Sequence, residues 1–583
     1  MNNRRGIAAA VVLLAGCASQ PSDQLEPVDL TIRQKPQVSI AQPAPGSFIT
    51  TAGDGMVDVI GTAHGSSILV NGHATPVDAQ GNFHARIPAA EGLNVIDAHL
   101  SGLLGGESQR AFLYGNFARP ETVLANGVMV RATGAAWDDK DGDLDDFGAI
   151  ARAMLAQVDL MTLVKQLPPY TWTLGDVSVD VAVTKVAFDQ QHAALTLSPR
   201  AGGAHVDGGI RKVLVTLSLT LHYGGDWTTA GTVAVDTVAF NANIDAAYKK
   251  GEIVASTETP NIALGSLNVT TDLDFPGVDD FLTFLANQFK DLIAKTVAQQ
   301  IQSSSANHFA LALNQIGLPA QFSLAPYGLD ATLVATDGFD GAAFDKQGVN
   351  ISAATNFAWP QGAGVLTGAG SLVIGSTPAT SFPDATMSVS VSLDALDQAA
   401  FAVWGQNGLS RVVYPGKTYP GFKLDPLVAA PALPPVIAVS DGSHVQVSLG
   451  DIVVGTTLHT WIADFPFQVT LSGVTGVALD IDPANGALRM TPTGTPRIWL
   501  DVNTLFGVVP DVLLAPLSSL LQSLAPGIVQ KMVKPIEVPL PKMSLWKLIP
   551  GSTASIGLTS PVAVSVDATA KRVIVSGNLA AYP

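Results

Sequence analysis

The chain is poor in cysteine, in charge and above all in positive charge, and each shortage removes a class of explanation. Cys17 is the only cysteine in 583 residues, so neither a disulfide nor a cysteine zinc site can hold the fold, and stability must come from packing. Charged residues make up 14% of the chain, against about 25% in ordinary soluble domains. Lys and Arg number 31 against 48 Asp and Glu, a formal charge of −17. That balance argues against nucleic acid or an anionic lipid surface as the main electrostatic partner. Beyond residue 17 no apolar run approaches the ~20 residues that a bilayer core needs. The marks of catalysis are also missing: no Gly-x-Ser-x-Gly elbow, no Walker loop, no dinucleotide fingerprint and no His-Glu-x-x-His pair. The ten histidines are scattered, and carboxylates cluster only from Asp138 to Asp146, without the apolar surroundings that raise a pKa for acid catalysis. A protein that is not an enzyme and requires no cofactor is expected.

What is abundant is apolar surface. Hydrophobic residues reach 47% and the mean hydropathy is +0.32, a surplus that fills a large interior or lines a cavity for apolar ligands. At this length several domains are expected. The first 17 residues read as an export signal: Arg4 and Arg5, then the apolar stretch Ile7 to Leu14, then Leu14-Ala15-Gly16-Cys17. That tetrapeptide resembles the lipobox of bacterial lipoproteins, which implies lipidation of Cys17, loss of the residues before it, Cys17 as the new N-terminus and a membrane anchor. With Ala18 and Ser19 following, the resemblance implies the outer membrane of a Gram-negative envelope. Residues 18–35 are polar and aperiodic, as suits a tether.

From Pro36 short β-rich runs alternate with turns such as Val70-Asn71-Gly72 and Gln80-Gly81-Asn82, the spacing of a β-sandwich. Residues 36–117 resemble bacterial immunoglobulin-like modules of the glucodextranase domain B type, which implies a spacer without chemistry of its own. The segment Asp138 to Asp146 follows. Asp139, Asp141 and Asp143 alternate as the first ligands of a calcium loop do, but Leu144 and Ile150 stand where an EF-hand has Gly and Glu. The same turn reads also, and first, as an acidic cap that needs no metal, with Asp145 or Asp146 at the start of the next helix.

Beyond it, Phe147, Ile150, Met154, Leu155, Val158, Met161 and Leu167 recur at helical spacing up to Pro168-Pro169. Alternating strands come next: Val177 to Val183, then Val213, Val215, Leu217, Leu219 and Leu221. Asp279 or Asp280 is expected to cap a helix whose apolar face holds Phe281, Leu285, Phe289 and Leu292 and which runs to about Ser303. Strand, helix and strands then recur. Met387 to Leu393 feeds a helix containing Phe401 and Trp404, Val512 to Val533 forms another, and Val573 to Leu579 closes the chain. Ser388 to Leu409 resembles the strand-to-helix motif of the bactericidal/permeability-increasing protein and lipopolysaccharide-binding protein family. Val213 to Phe240 resembles the N-terminal domain of the same tubular lipid-binding superfamily.

The resemblance implies an α+β chain of two tandem barrels, 121–324 and 325–583, each a long curved antiparallel sheet around a long helix, joined by a central sheet. It also implies apolar slots for acyl chains of a phospholipid or related lipid, with Val213, Val215, Leu217, Leu219, Leu221, Phe281, Leu285, Phe289, Leu292, Phe401 and Trp404 as lining positions. Ordinary core packing is the competing role of each. Two departures count against lipopolysaccharide neutralisation: the disulfide of the family's bactericidal members has no cysteines here, and no Lys/Arg cluster forms a basic tip. The expected function is a lipid-binding envelope lipoprotein. The alternative is a surface adhesin or scaffold with filled barrels and a calcium site at the aspartate turn.

Overall fold

The computed structural model describes residues 38–51, 53–100, 106–140, 143–158, 160–161, 170–317, 321–323, 332–358, 370–419, 422–440, 444–460, 463–501, 511–533, 537–549 and 551–582. Cys17, Asp141, the tether and the export signal lie outside them. The fold is mostly β.

The N-terminal module forms two facing sheets. Val38–Gln42, Met56–Ala63 and Asn82–Pro88 make one, and the other is built on Gly92–His99 and Glu107–Ala118. Period-two alternation turns Val57, Val59, Ile87 and Ile96 into a shared core with Phe83 and Phe112.

Two long antiparallel sheets follow in the rest of the chain. The first pairs Val177–Arg200, Gly203–His222 and Asp226–Lys249. Its register shifts at Val183/Lys185 and Ala187/Asp189 are bulges, which bend a strand and increase its twist. The second is built on His444–Thr460, Asp464–Ile481 and Ala487–Asp501. Between them lies a nine-stranded sheet ordered from Ile316–Gly317 through Arg572–Tyr582, Met387–Ser392 and Leu124–Thr133 to Gly348–Ala358 and Gln321–Ser323. It takes strands from both sides of residue 324. This arrangement is compatible with the expected barrels.

The helices we label α1 (Gly134–Trp137), α2 (Phe147–Ala156), α3 (Val278–Leu313), α4 (Leu393–Gly405) and α5 (Asp511–Val533). Helix α3 lies against the first long sheet, and Phe281, Leu285, Phe289, Ile293, Val297 and Ile301 bury its inner face. Each such side chain contributes about 1.5–3 kcal/mol when fully buried. Its N-cap is Gly277, at φ 93°, and not an aspartate; Asp279 and Asp280 lie in the first turn, where they complement the helix dipole. The helix also runs ten residues past Ser303 to Leu313, for a reason that bears on the site.

Candidate functional site

The extension of α3 creates a slot. Its floor comes from the first long sheet, through Leu195, Leu197, Val206, Phe240 and Ile244, and its walls from α2 and the C-terminal part of α3. Gly208 sits across from Phe240, and a Cβ at that position would strike the phenyl ring, so glycine lets the ring lie flat as floor. Phe147, Ile150, Met154 and Leu155 project from α2 because they fall on one face at helical spacing. Two of the lining residues, Phe147 and Phe309, belong to a cluster of aromatic rings. Trp137, fully buried, packs edge-on to Phe147 with centroids 5.9 Å apart and lies 5.6 Å from Phe309, which in turn meets Phe344 of the central sheet at 6.3 Å.

The open space in and before the slot, solvent included, is about 900 Å³, and the part of it that a water-sized molecule can occupy is about 140 Å³. The latter is close to the ~150 Å³ apolar cavity that stays dry and takes up benzene. Gln300, Ser304, Ser305 and His308 edge the slot along α3. Apolar neighbours desolvate the His308 ring and lower its pKa, against a smaller raising effect of its hydrogen bond with the Ser304 backbone.

The expected lining residues divide into three groups. Val213, Val215, Phe289 and Leu292 surround a void of only about 20 Å³, room for roughly one water. Leu217, Leu219, Leu221, Phe281 and Leu285 are buried core, with Phe281 clasped by Trp172 at 5.4 Å and Phe275 at 5.8 Å. Phe401 and Trp404, on α4, stack on one another at 5.5 Å, and Trp404 reaches Phe48 of the N-terminal module and donates to the Pro431 carbonyl at 2.8 Å. None of these lines the slot. The α2 stripe was legible as a helix; Leu195, Leu197, Phe240, Ile244 and Phe309 carried no signal separating slot from core.

The aspartate turn is chiefly a cap. Asp146 is the N-cap of α2, its Oδ1 accepting from the Ala149 N–H at 2.5 Å and its Oδ2 from the Asp139 N–H at 3.3 Å. Burial pushes its carboxyl up to about 6, against the lowering by these hydrogen bonds and by Arg152. The carboxylates brought within 4.8 Å of one another are Asp139, Asp145 and Asp146. Of the expected ligands, Asp139 is in that group, Asp143 accepts from the Asp145 N–H at 3.3 Å instead, and Asp141 lies outside the described residues.

No family model matches the chain, and no curated protein matches it. Among solved structures, the chain is similar to a lipopolysaccharide binding protein, at 11% identity and TM-score 0.40 over 80% of this chain and 100% of that one. It is also similar to P47 from Clostridium botulinum A2, at 7% and 0.26 over 79% and 99%. P47 of Clostridium botulinum E1 matches at 8% and 0.23, over 78% and 100%. At such scores the likeness is one of outline, and the functional reading rests on the slot.

Proposed function

We propose that this protein is a non-catalytic lipid-binding protein of a bacterial envelope that shelters acyl chain in the slot between α2, α3 and the first long sheet. The observation that carries this reading is an apolar cleft, lined by Phe147, Phe240 and Phe309 and edged by uncharged polar side chains, in a chain with a surplus of apolar residues. Burial there stabilises a ligand by about 0.8 kcal/mol per methylene, so a long chain is retained without a charged contact. The lipobox resemblance at Cys17 supplies the membrane anchor, and the outer membrane is the location it implies. Carriage between membranes and capture at one membrane both follow from such a site.

Native mass spectrometry of the purified protein, followed by organic extraction, tests this. The expected result is co-purified phospholipid, fatty acid or related lipid at about one per chain. An unchanged protein mass after incubation with liposomes removes the lipid reading. It would favour the scaffold alternative, which draws support from the filled interface around Phe289. In that alternative Asp139, Asp145 and Asp146 would hold Ca²⁺ through their carboxylate oxygens; calorimetric titration with CaCl₂ distinguishes a metal site from a cap.

A further inference from the structure

Among the described residues, the rim of the slot can hydrogen-bond but carries no formal charge. Gln300, Ser304 and His308 recur at intervals of four along α3, so they stand in one row beside the apolar row of Ile301 and Phe309. At 1.5 Å per residue the polar row is about 12 Å long. Among the described residues no Asp, Glu, Lys or Arg lines the slot, and Arg152 of α2, which donates to the Leu195 carbonyl at 3.2 Å, is paired with Asp138. An ionised head group drawn to this rim would give up hydration and meet no opposite charge. A hydroxyl or amide loses far less and gains partners in the Ser305 hydroxyl, the Ser304 oxygen, which still accepts while its proton is given to the Gln300 carbonyl, the Gln300 amide and the imidazole.

The interior sets a second limit. About 140 Å³ is open within the slot, while the neighbouring voids on α3 and beside Phe147 hold about 20 Å³ each. Neither neighbouring void offers a channel for a second acyl chain, and a first chain lies along the open slot with only part of its length in the narrow interior.

We propose that the slot selects a single-chain amphiphile with an uncharged hydrogen-bonding head, of the monoacylglycerol or fatty-alcohol class. Its chain lies between α2 and α3, and its head rests on Gln300, Ser304, Ser305 and His308. The proposal rests on the lipid-binding reading above and narrows it.

The test uses full-length protein carrying Cys17→Ser, delipidated and titrated with 1-monooleoylglycerol, oleate and dioleoylphosphatidylcholine, with occupancy read by native mass spectrometry. One monooleoylglycerol per chain is expected, at least about tenfold tighter than oleate or the phospholipid, as a net hydrogen bond or two supplies. The double variant Ser304→Val/His308→Leu keeps the slot apolar; it should lose that preference and still take up oleate. Circular dichroism and a cooperative melt establish that the variant folds. Oleate or phospholipid bound as tightly as monooleoylglycerol, or a preference that survives in the double variant, overturns the head-group proposal and leaves the lipid reading standing. Uptake of none of the three by cooperatively melting wild-type protein overturns the lipid reading itself.

Discussion

Several buried polar residues hold the strands of this molecule in register, and Arg572 is the most committed of them. It is fully buried and donates through Nε to the Ser390 hydroxyl at 2.7 Å, and through its terminal nitrogens to the carbonyls of Ser390 at 3.0 Å and Asn126 at 2.9 Å. Burial lowers its pKa to about 10, against the raising effect of Asp394, Asp340 and Asp567, so it stays charged at neutral pH. Arg572→Leu leaves those acceptors buried without donors, and a loss of about 3–5 kcal/mol in urea unfolding is expected. An unfolding midpoint equal to wild type would show that water replaces the guanidinium. Asp397 on α4 presents the opposite case. Its Oδ1 accepts from the Ile437 N–H at 2.7 Å while Oδ2 is buried without a partner. Burial raises its pKa well above the usual carboxylate value, with Asp394 adding to the shift and the Ile437 hydrogen bond opposing it. A raised carboxylate stabilises the fold most at pH below its unfolded value near 3.8, and that contribution is lost as pH rises through the folded value. Asp397→Asn retains the acceptor and removes the charge. Its Tm should therefore fall less than that of wild type between pH 5 and pH 8, roughly the range in which such proteins are most stable, and equal slopes would refute the assignment.

At the scale of elements, the outer ends of both long sheets carry the same device. His222 lies between Asp226, 2.6 Å from Nδ1, and Asp180, 3.1 Å from Nε2. His459 lies between Asp464 at 2.7 Å and Asp425 at 2.8 Å. Each imidazole thus ties its own strand to two carboxylates, and these raise its pKa above 6.5, while Asp180 and Asp425 are lowered below 3.8 by their hydrogen bonds. The histidine contribution is fully present below pH 6.5 and is lost as pH rises through the raised value. The Asp180 and Asp425 contributions are present above 3.8 and are lost as pH falls through their lowered values. Amide exchange over Thr220–Thr228, corrected for intrinsic rates, should therefore quicken as pH rises above the histidine pKa. In His222→Gln that pH-dependent step should vanish; a step that persists would place its origin elsewhere. The sequence showed His222 only as a polar strand residue, because its partners come from a neighbouring strand and a hairpin turn. The same limit explains α3. Gln302, Ser303, Ser304, Asn307 and His308 interrupt the apolar stripe, so the pattern stops near Ser303 although the helix does not. Ser303 and Ser304 hydroxyls donate to the Gln300 carbonyl and the Asn307 amide donates to that of Ser303, which satisfies those groups within the helix. Apolar periodicity therefore marked the half of α3 that packs tightly and passed over the half that borders the slot.

Over the whole molecule, the periods of strands and helices were legible, and so was the succession of module, sheet and helix; the way the module is fastened was not. A spacer reading implies loose attachment, whereas residues 38–118 are seated on the second long sheet. Asp451 Oδ1 accepts from the Ala111 N–H at 2.8 Å, and Asp501 Oδ2 accepts from the Gln109 N–H at 3.0 Å and the Ser108 hydroxyl at 3.1 Å. Ala111, Leu113, Leu372, Leu433 and Val436 form a small apolar core beneath them, and Ser371–Val373 adds a strand to Glu107–Ala118. Gly450 completes the joint. A Cβ there would lie 2.5 Å from Leu93 Cδ1, 2.8 Å from Leu433 Cδ1 and 3.1 Å from the Ala111 Cβ, closer than packed carbons approach. These partners are hundreds of residues apart, which is why single-residue patterning did not reveal them. Gly450→Ala combined with Asp501→Ala should separate module from sheet without unfolding either core, since the module keeps its own cluster around Val59, Ile96 and Phe112. Small-angle scattering of the variant should then show a larger radius of gyration, and limited proteolysis a new cut in the exposed stretch Arg119–Val123. A scattering profile that matches wild type would mean that the strand pairing of Ser371–Val373 holds the module by itself. Adding a proline at Leu372, a residue that strands tolerate poorly, would then be the change that releases it.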